Sequence, residues 1–147
     1  LSAWRNYQQQ AAEFFRSLGL TATIEKAISG TRGIHNIDVY VEDNVMGITF
    51  GWIVECKDWK TNVPKEKVAA LTAILQDVGA DRGFLLSEIG FQSGALRMAE
   101  KSNLMLTIIA DLARACRQLG DSGAAKSLIH RRSAHWELID GPLWASG

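Results

Sequence analysis

Three side chains in this sequence have the types and spacing to do chemistry together. Asp38 falls on the polar side of a stretch in which Ile37, Val39 and Val41 alternate with Asp38, Tyr40 and Glu42, the period of two that sends successive side chains to opposite faces of a strand. Glu55 and Lys57 share one face of a second stretch, Ile48 to Lys57, their Cα atoms about 6.5 to 7 Å apart by strand rise. If the two strands pair, two carboxylates and an ammonium converge. Neighbouring carboxylates repel each other and are hard oxygen donors, so a divalent ion such as Mg²⁺ relieves the repulsion. A lysine alongside can orient a water and offset charge on a pentavalent phosphate, and the combination asks for phosphodiester hydrolysis. A plainer reading stands beside this one: Asp38 as a strand-edge turn carboxylate, and Glu55 with Lys57 as a solvated pair on an exposed sheet face. A central position for the second strand, on which Ile53 and Val54 are both apolar, favours the chemical reading, because charges on a central strand need partners.

Other catalytic signatures are missing. The sequence has no Gly-rich phosphate loop, no HExxH and no GxSxG, and His35, His130 and His135 have no obvious partner nucleophile. His35 reads as a loop or strand-edge residue. Cys56 alternates away from Glu55 and Lys57, which suits a small buried apolar role better than a nucleophile.

The elements that position these residues follow from periodicity. Tyr7, Ala11, Phe14, Phe15 and Leu18 recur at helical spacing before Gly19, a C-cap candidate. Thr21 to Ile28 is rich in β-branched residues and runs into Ser-Gly-Thr-Arg-Gly, so a strand leads into a loop. The two chemistry-bearing strands come next, with a turn expected at Asp43-Asn44, and the three strands suggest an antiparallel meander. Pro64 suits a first helical turn, with Asn62 or Val63 near the cap, and Val68, Leu71, Leu75 and Val78 repeat at helical spacing before Gly79. Gly83 to Ser87 reads as a short buried strand, Ala95, Met98 and Ala99 as one side of a helix, and Leu104 to Ile109 as another strand. Strand, helix and strand in alternation imply parallel pairing. The order is α-β-β-β-α-β-α-β, an α/β chain with a mixed sheet covered by helices. Leu112, Ala115, Cys116 and Leu119 could add one more helix before Gly120-Asp121-Ser122-Gly123.

The chain has 147 residues, 47% apolar and 22% charged, which fits one globular domain that buries about 70% of its unfolded surface. Sixteen Lys plus Arg offset sixteen Asp plus Glu, excluding a polybasic nucleic-acid tail, an acidic tail and the composition of disorder. Any basic surface is local. Cys56 and Cys116 have neither CxxC nor Cys/His spacing, so no zinc site or secreted disulfide framework is suggested. No apolar run approaches the roughly 18 to 20 residues that span a bilayer, and the N-terminus lacks the regions of a signal peptide. A cytoplasmic location is expected, and a start at Leu1 rather than Met suggests an excised fragment.

Ile37-Asp38, followed by Glu55-Cys56-Lys57, resembles the PD-(D/E)xK nuclease signature without its proline. Three further stretches resemble the Mrr-like restriction endonuclease catalytic domain: Ile53-Val54-Glu55-Cys56-Lys57-Asp58-Trp59-Lys60; the helix ending at Val78 that leads into Gly79-Ala80-Asp81-Arg82-Gly83; and Gly90-Phe91-Gln92-Ser93-Gly94-Ala95. The resemblance runs from about Tyr7 to Ile109. It implies a restriction-endonuclease-like core and Mg²⁺-dependent hydrolysis of DNA, with Mn²⁺ as a substitute ion. Asp38 and Glu55 become the metal-binding carboxylates and Lys57 the catalytic lysine. Glu13, about 120° from the centre of the first helix's apolar stripe at ~100° per residue, becomes the acidic helix residue that joins the site. Many relatives have glycine two residues before the aspartate, where this chain has Asn36.

Trp59, Lys60, Lys65 and Lys67 interleave an aromatic with cations beyond the site, suiting phosphate contacts and base stacking or, equally, a solvated helix entrance. Gln92 and Ser93 could donate to a phosphate at a helix N-terminus, with Ser93 as an ordinary N-cap the plainer reading. We expect a nuclease core over residues 1–110 and a C-terminal extension over 111–147 that links to a domain absent from this chain. DNA is the expected partner, with a homodimer as a further option and no membrane. Two alternatives are a non-cleaving nucleic-acid-binding or assembly module and a Holliday-junction resolvase.

Overall fold

The computed structural model describes residues 3–58 and 60–119; Trp59 and the 120–147 part of the expected extension lie outside the described residues. Helix α1 (Ala3–Ser17) is followed by strands β1 (Thr21–Ser29), β2 (Ile34–Val45) and β3 (Ile48–Cys56), helix α2 (Lys65–Val78), strand β4 (Arg82–Leu86), helix α3 (Ser93–Ala99), strand β5 (Leu104–Thr107) and helix α4 (Ile109–Leu119). This is the expected order with α4 added. The five strands form one sheet in the order β1-β2-β3-β4-β5. The first three pair antiparallel and the last two add in parallel. β3 is therefore central, the place where the sheet changes from antiparallel to parallel.

Alternation on the strands divides the core into two layers. Val39, Val41, Trp52, Val54, Cys56, Phe84 and Leu86 pack with Tyr7, Ala11, Ala12 and Phe15 of α1, with Leu18 just past it, and with Leu112 and Ala115 of α4. Ile53, Leu85 and Leu106 pack on the other face with Val68, Leu71 and Leu75 of α2 and Ala95 of α3. Helices thus cover both faces of a mixed sheet, an α/β/α sandwich. Because Leu112 and Ala115 belong to the core, it continues past residue 110, the boundary expected from sequence. Gly83 lets α2 come down on β4: a Cβ there would stand 2.7 Å from Leu75 Cδ1 and 2.6 Å from Leu104 Cδ2, closer than carbon atoms pack. No described helix is long and apolar enough to cross a membrane.

Three local expectations are corrected. The β2–β3 connection falls at Met46-Gly47, both at positive φ, and the ladder includes Asp43↔Phe50 and Asn44↔Thr49; strand pairing overrides the turn preference of Asp-Asn. Ile37 does not share a face with Val39 and Val41 but joins the α2 layer. The cause is in β1, where Glu25 takes a φ of 53° and the β1–β2 ladder lapses between Ile24↔Val39 and Lys26↔Ile37, so β2 turns its face at Asp38. Finally, Ser93 is the first helical residue of α3, and the extended residue before it is Gln92.

His35, at the start of β2, and Arg32 of the preceding loop are tied to α2. His35 Nε2 lies 2.6 Å from Asp77 Oδ2, and Asp77 Oδ1 accepts the Arg32 backbone N–H at 2.9 Å. Hydrogen bonding to His35 holds the Asp77 carboxyl below its usual range, so its contribution to stability is complete above about pH 4 and is lost as pH falls through its depressed value. Asp77→Asn is expected to lower Tm at pH 7, with the gap from wild type narrowing as pH is taken toward 3. Thermal melts at the two pH values check this, and an equal gap at both would exclude the ionic contribution.

Candidate active site

Asp38 stands one residue beyond the last β2–β3 ladder pair toward the site, Val39↔Val54. Where the backbone ladder stops, its side chain takes over: Asp38 Oδ2 accepts the Cys56 N–H at 2.9 Å. This bond fixes a carboxylate at the end of β3, between Glu55 and Lys57. Glu55 is held on the other side by the parallel register Glu55↔Leu85, and Lys57 by its backbone N–H, which donates to Leu86 O at 2.8 Å. Lys57 Nζ is 3.6 Å from Glu55 Oε2. The three residues singled out by type and spacing meet because β2 diverges from β3 at this point while β4 continues to pair with it.

Burial, then the charge of Asp38, pushes the Glu55 carboxyl up to about 7, against the opposing pull of Lys57; a hydrogen bond between the two carboxyls adds to the rise. The Cys56 thiol is pushed up by burial and by the charges of Asp38 and Glu55, so it stays protonated and serves as a small core residue. Because folded Glu55 binds its proton more tightly than an unfolded carboxyl, the metal-free protein loses stability as pH rises from about 4.5 to 7. Glu55→Gln is expected to raise stability at pH 8 by on the order of 1 to 3 kcal/mol and to flatten this pH dependence. Melts in EDTA at pH 5 and pH 8 measure it; an unchanged slope would assign the dependence to another group.

Asp38 and Glu55 offer hard oxygen atoms side by side, chemistry that suits a divalent cation. Glu13 does not join them. It is exposed on α1, and among the described residues no group of three or more His, Cys, Asp or Glu is arranged to hold a metal. The polar side chain that α1 turns inward is Gln8, 1% exposed, with its Nε2 left without a hydrogen-bond partner. Gln8 lies one turn on from Trp4 along the same helix face, and Trp4 lines a cleft of about 340 Å³ together with Glu25, Asn36, Ile37 and Asp38. A signal for it exists in the sequence: Gln8 precedes Ala12 by four residues and Phe15 by seven, which puts a polar residue on the apolar stripe.

The loops after β3 and β4 run side by side at the carboxyl ends of the parallel strands. Val63 N–H donates to Gly90 O at 3.0 Å and Gln92 N–H to Val63 O at 2.9 Å. Lys65 is thereby set against the start of α3, its Cδ 3.7 Å from where a Cβ on Gly94 would stand. Lys60, Lys65, Gln92 and Ser93 are all exposed and Lys67 is half-buried. Ligands of open α/β sheets bind at this edge.

A mixed sheet between helical layers, with a carboxylate at a strand divergence and a Glu-x-Lys at the end of the central strand, defines a restriction-endonuclease-like protein. The restriction endonuclease family profile of the Mrr catalytic type matches residues 2–116, and the chain belongs to that family. A comparison with curated proteins finds no match. Among solved structures, AF1548, a protein of unknown function, superposes with a TM-score of 0.61 at 16% identity, covering 84% of this chain and 94% of its own. The DNA modification-dependent restriction endonuclease AspBHI superposes with a TM-score of 0.52 at 15% identity over 84% of this chain. This chain spans 34% of the AspBHI chain. MspJI, solved in complex with a 27-mer oligonucleotide, gives a TM-score of 0.47 at 17% identity, over 96% of this chain and 33% of its own.

Proposed function

We propose that this chain is the catalytic domain of a metal-dependent endonuclease, of restriction or defence type, that hydrolyses DNA phosphodiester bonds with Mg²⁺ or Mn²⁺ in the cytoplasm. The observation that carries this reading is the meeting of Asp38, Glu55 and Lys57 at the β2–β3 divergence in a member of the restriction endonuclease family. The donor set fits the ion, because two carboxyls close enough to hold one at a raised pKa form a pair that a divalent cation would stabilise in its ionised form. Asp38 and Glu55 would hold it. Once bound, such an ion supplies Lewis-acid polarisation and neutralises phosphoryl charge.

The chain's own groups do the rest. Lys57 donates to the attacking water or to the phosphoryl oxygen as charge builds there, and its ion pair with Glu55 keeps the ammonium aimed. Lys60, Lys65, Lys67, Gln92 and Ser93 border the adjoining loops and would track the phosphate backbone. A further DNA-recognition domain or a homodimer would complete the working unit. The test is conversion of supercoiled plasmid to nicked or linear DNA with Mg²⁺ and its absence in EDTA. DNA binding without cleavage in either ion would replace this reading by the non-cleaving module. Cutting confined to four-way junctions would make it a resolvase.

A formal net charge of zero gives little sequence-independent attraction to a polyanion, and the site itself concentrates negative charge. The chain alone is expected to bind duplex DNA with a Kd of about 10⁻⁴ M at physiological salt, the weak end of non-specific binding. Fluorescence anisotropy in Ca²⁺ at several salt concentrations measures it, and nanomolar binding with a steep salt slope would overturn it.

A further inference from the structure

The cleft beside Asp38 has a composition unlike that of a groove for a phosphate backbone. It holds about 340 Å³ between Trp4, Glu25, Asn36, Ile37 and Asp38, and among the described residues no Lys or Arg lines it. Trp4 is half-buried, and Ile37 is fully buried. Asn36 brings an amide that both donates and accepts. Glu25 brings an acceptor, and it does so from a left-handed backbone, φ 53°, which non-glycine residues rarely adopt. The lapse of the β1–β2 ladder where Glu25 faces Asp38 opens the sheet at this spot. An aromatic, an apolar wall, an amide and a carboxylate acceptor make a site for a flat heterocycle with N–H donors, and such a site repels phosphate.

We propose that this cleft takes one unpaired nucleobase next to the scissile phosphate, with Trp4 stacking on the base and Glu25 and Asn36 reading its edge. The substrate class is then DNA that offers an extrahelical or single-stranded nucleotide at the cut, in preference to a fully paired duplex. The anionic acceptor favours bases with an exocyclic amino group, cytosine, adenine and guanine, over thymine, whose N3–H is flanked by two carbonyls. The inference rests on the proposed nuclease reading for the position of the phosphate at Asp38, but binding of the base does not depend on cleavage.

The experiment is equilibrium binding in Ca²⁺ of labelled oligonucleotides, one fully paired and one with a single unpaired 2-aminopurine, whose fluorescence falls on stacking. Wild type, Trp4→Phe, Trp4→Ala and Glu25→Gln are compared, each checked by circular dichroism and melting. Wild type is expected to prefer the unpaired-base DNA and to quench the probe. In Trp4→Ala the affinity ratio of unpaired to paired DNA is expected to fall about 10-fold, the scale of a lost base stack, with Trp4→Phe retaining most of it. In Glu25→Gln the preference for unpaired cytosine over unpaired thymine is expected to shrink toward one. A ratio near one in wild type, or one that Trp4→Ala leaves intact, overturns the proposal. Base-dependent binding without plasmid cleavage would leave this inference standing and remove the nuclease reading; cleavage with a Trp4-insensitive ratio would do the reverse.

Discussion

Lys57→Ala is expected to reduce Mg²⁺-dependent cleavage of plasmid DNA by at least about 10²-fold, the loss that follows removal of one donor aimed at transition-state charge. The folded structure should survive, because the Lys57–Glu55 pair leaves 23% of the lysine side chain exposed and partly solvated ion pairs contribute little to stability. Lys57 is also anchored through its backbone, by the bond to Leu86 O, which alanine retains. Cleavage rates on supercoiled plasmid, read beside circular dichroism and Tm, separate the two effects. Wild-type rates in a folded Lys57→Ala protein would sink the assignment of the site.

Asp38→Asn and Glu55→Gln are each expected to weaken Mg²⁺ or Mn²⁺ binding by about 10-fold or more, since hard cations take ionised carboxylate oxygens and affinity follows ligand charge. The two substitutions act differently on the fold. Asparagine at position 38 keeps an oxygen that can accept the Cys56 N–H, so the strand divergence is preserved while the charge is lost. Glutamine at position 55 removes a carboxylate whose ionisation is opposed by burial and by Asp38, so the metal-free protein gains stability while it loses the ion. A variant that is more stable and binds less metal is hard to explain by misfolding. Titration calorimetry of the metal-free proteins at pH 8 decides the matter; if both variants bind the ion as wild type does, these carboxylates are not its ligands.

Much of the architecture was legible in the order of residues. Strand alternation placed Trp52 and Val54 opposite Ile53 and Glu55, as the two core layers bear out. Helical spacing in Val68, Leu71 and Leu75 identified the buried face of α2, and Gly19 and Gly79 closed their helices at positive φ. Such features are local, set by which neighbours a side chain has two, three or four residues away. The type and spacing of Asp38, Glu55 and Lys57 suggested their common site for the same reason.

The packing of α1 on the sheet decided that Glu13 stays out of the site. At ~100° per residue, Gln8 falls on the apolar stripe between Phe15 and Ala12 while Glu13 lies on its flank, and the packing of α1 on β1 and β2 buries Gln8 and leaves Glu13 in water. Nor does any local pattern announce that Glu25 adopts a left-handed conformation, that β2 turns its face at Asp38 so that Ile37 leaves Val39, or that His35 meets Asp77 across 42 positions. These depend on contacts between segments far apart in the chain, whose geometry is set by the whole sheet. Local pattern set the elements and the chemical types at the site; the divergence of β2 from β3, which turns three charged residues into one constellation, was decided by the fold.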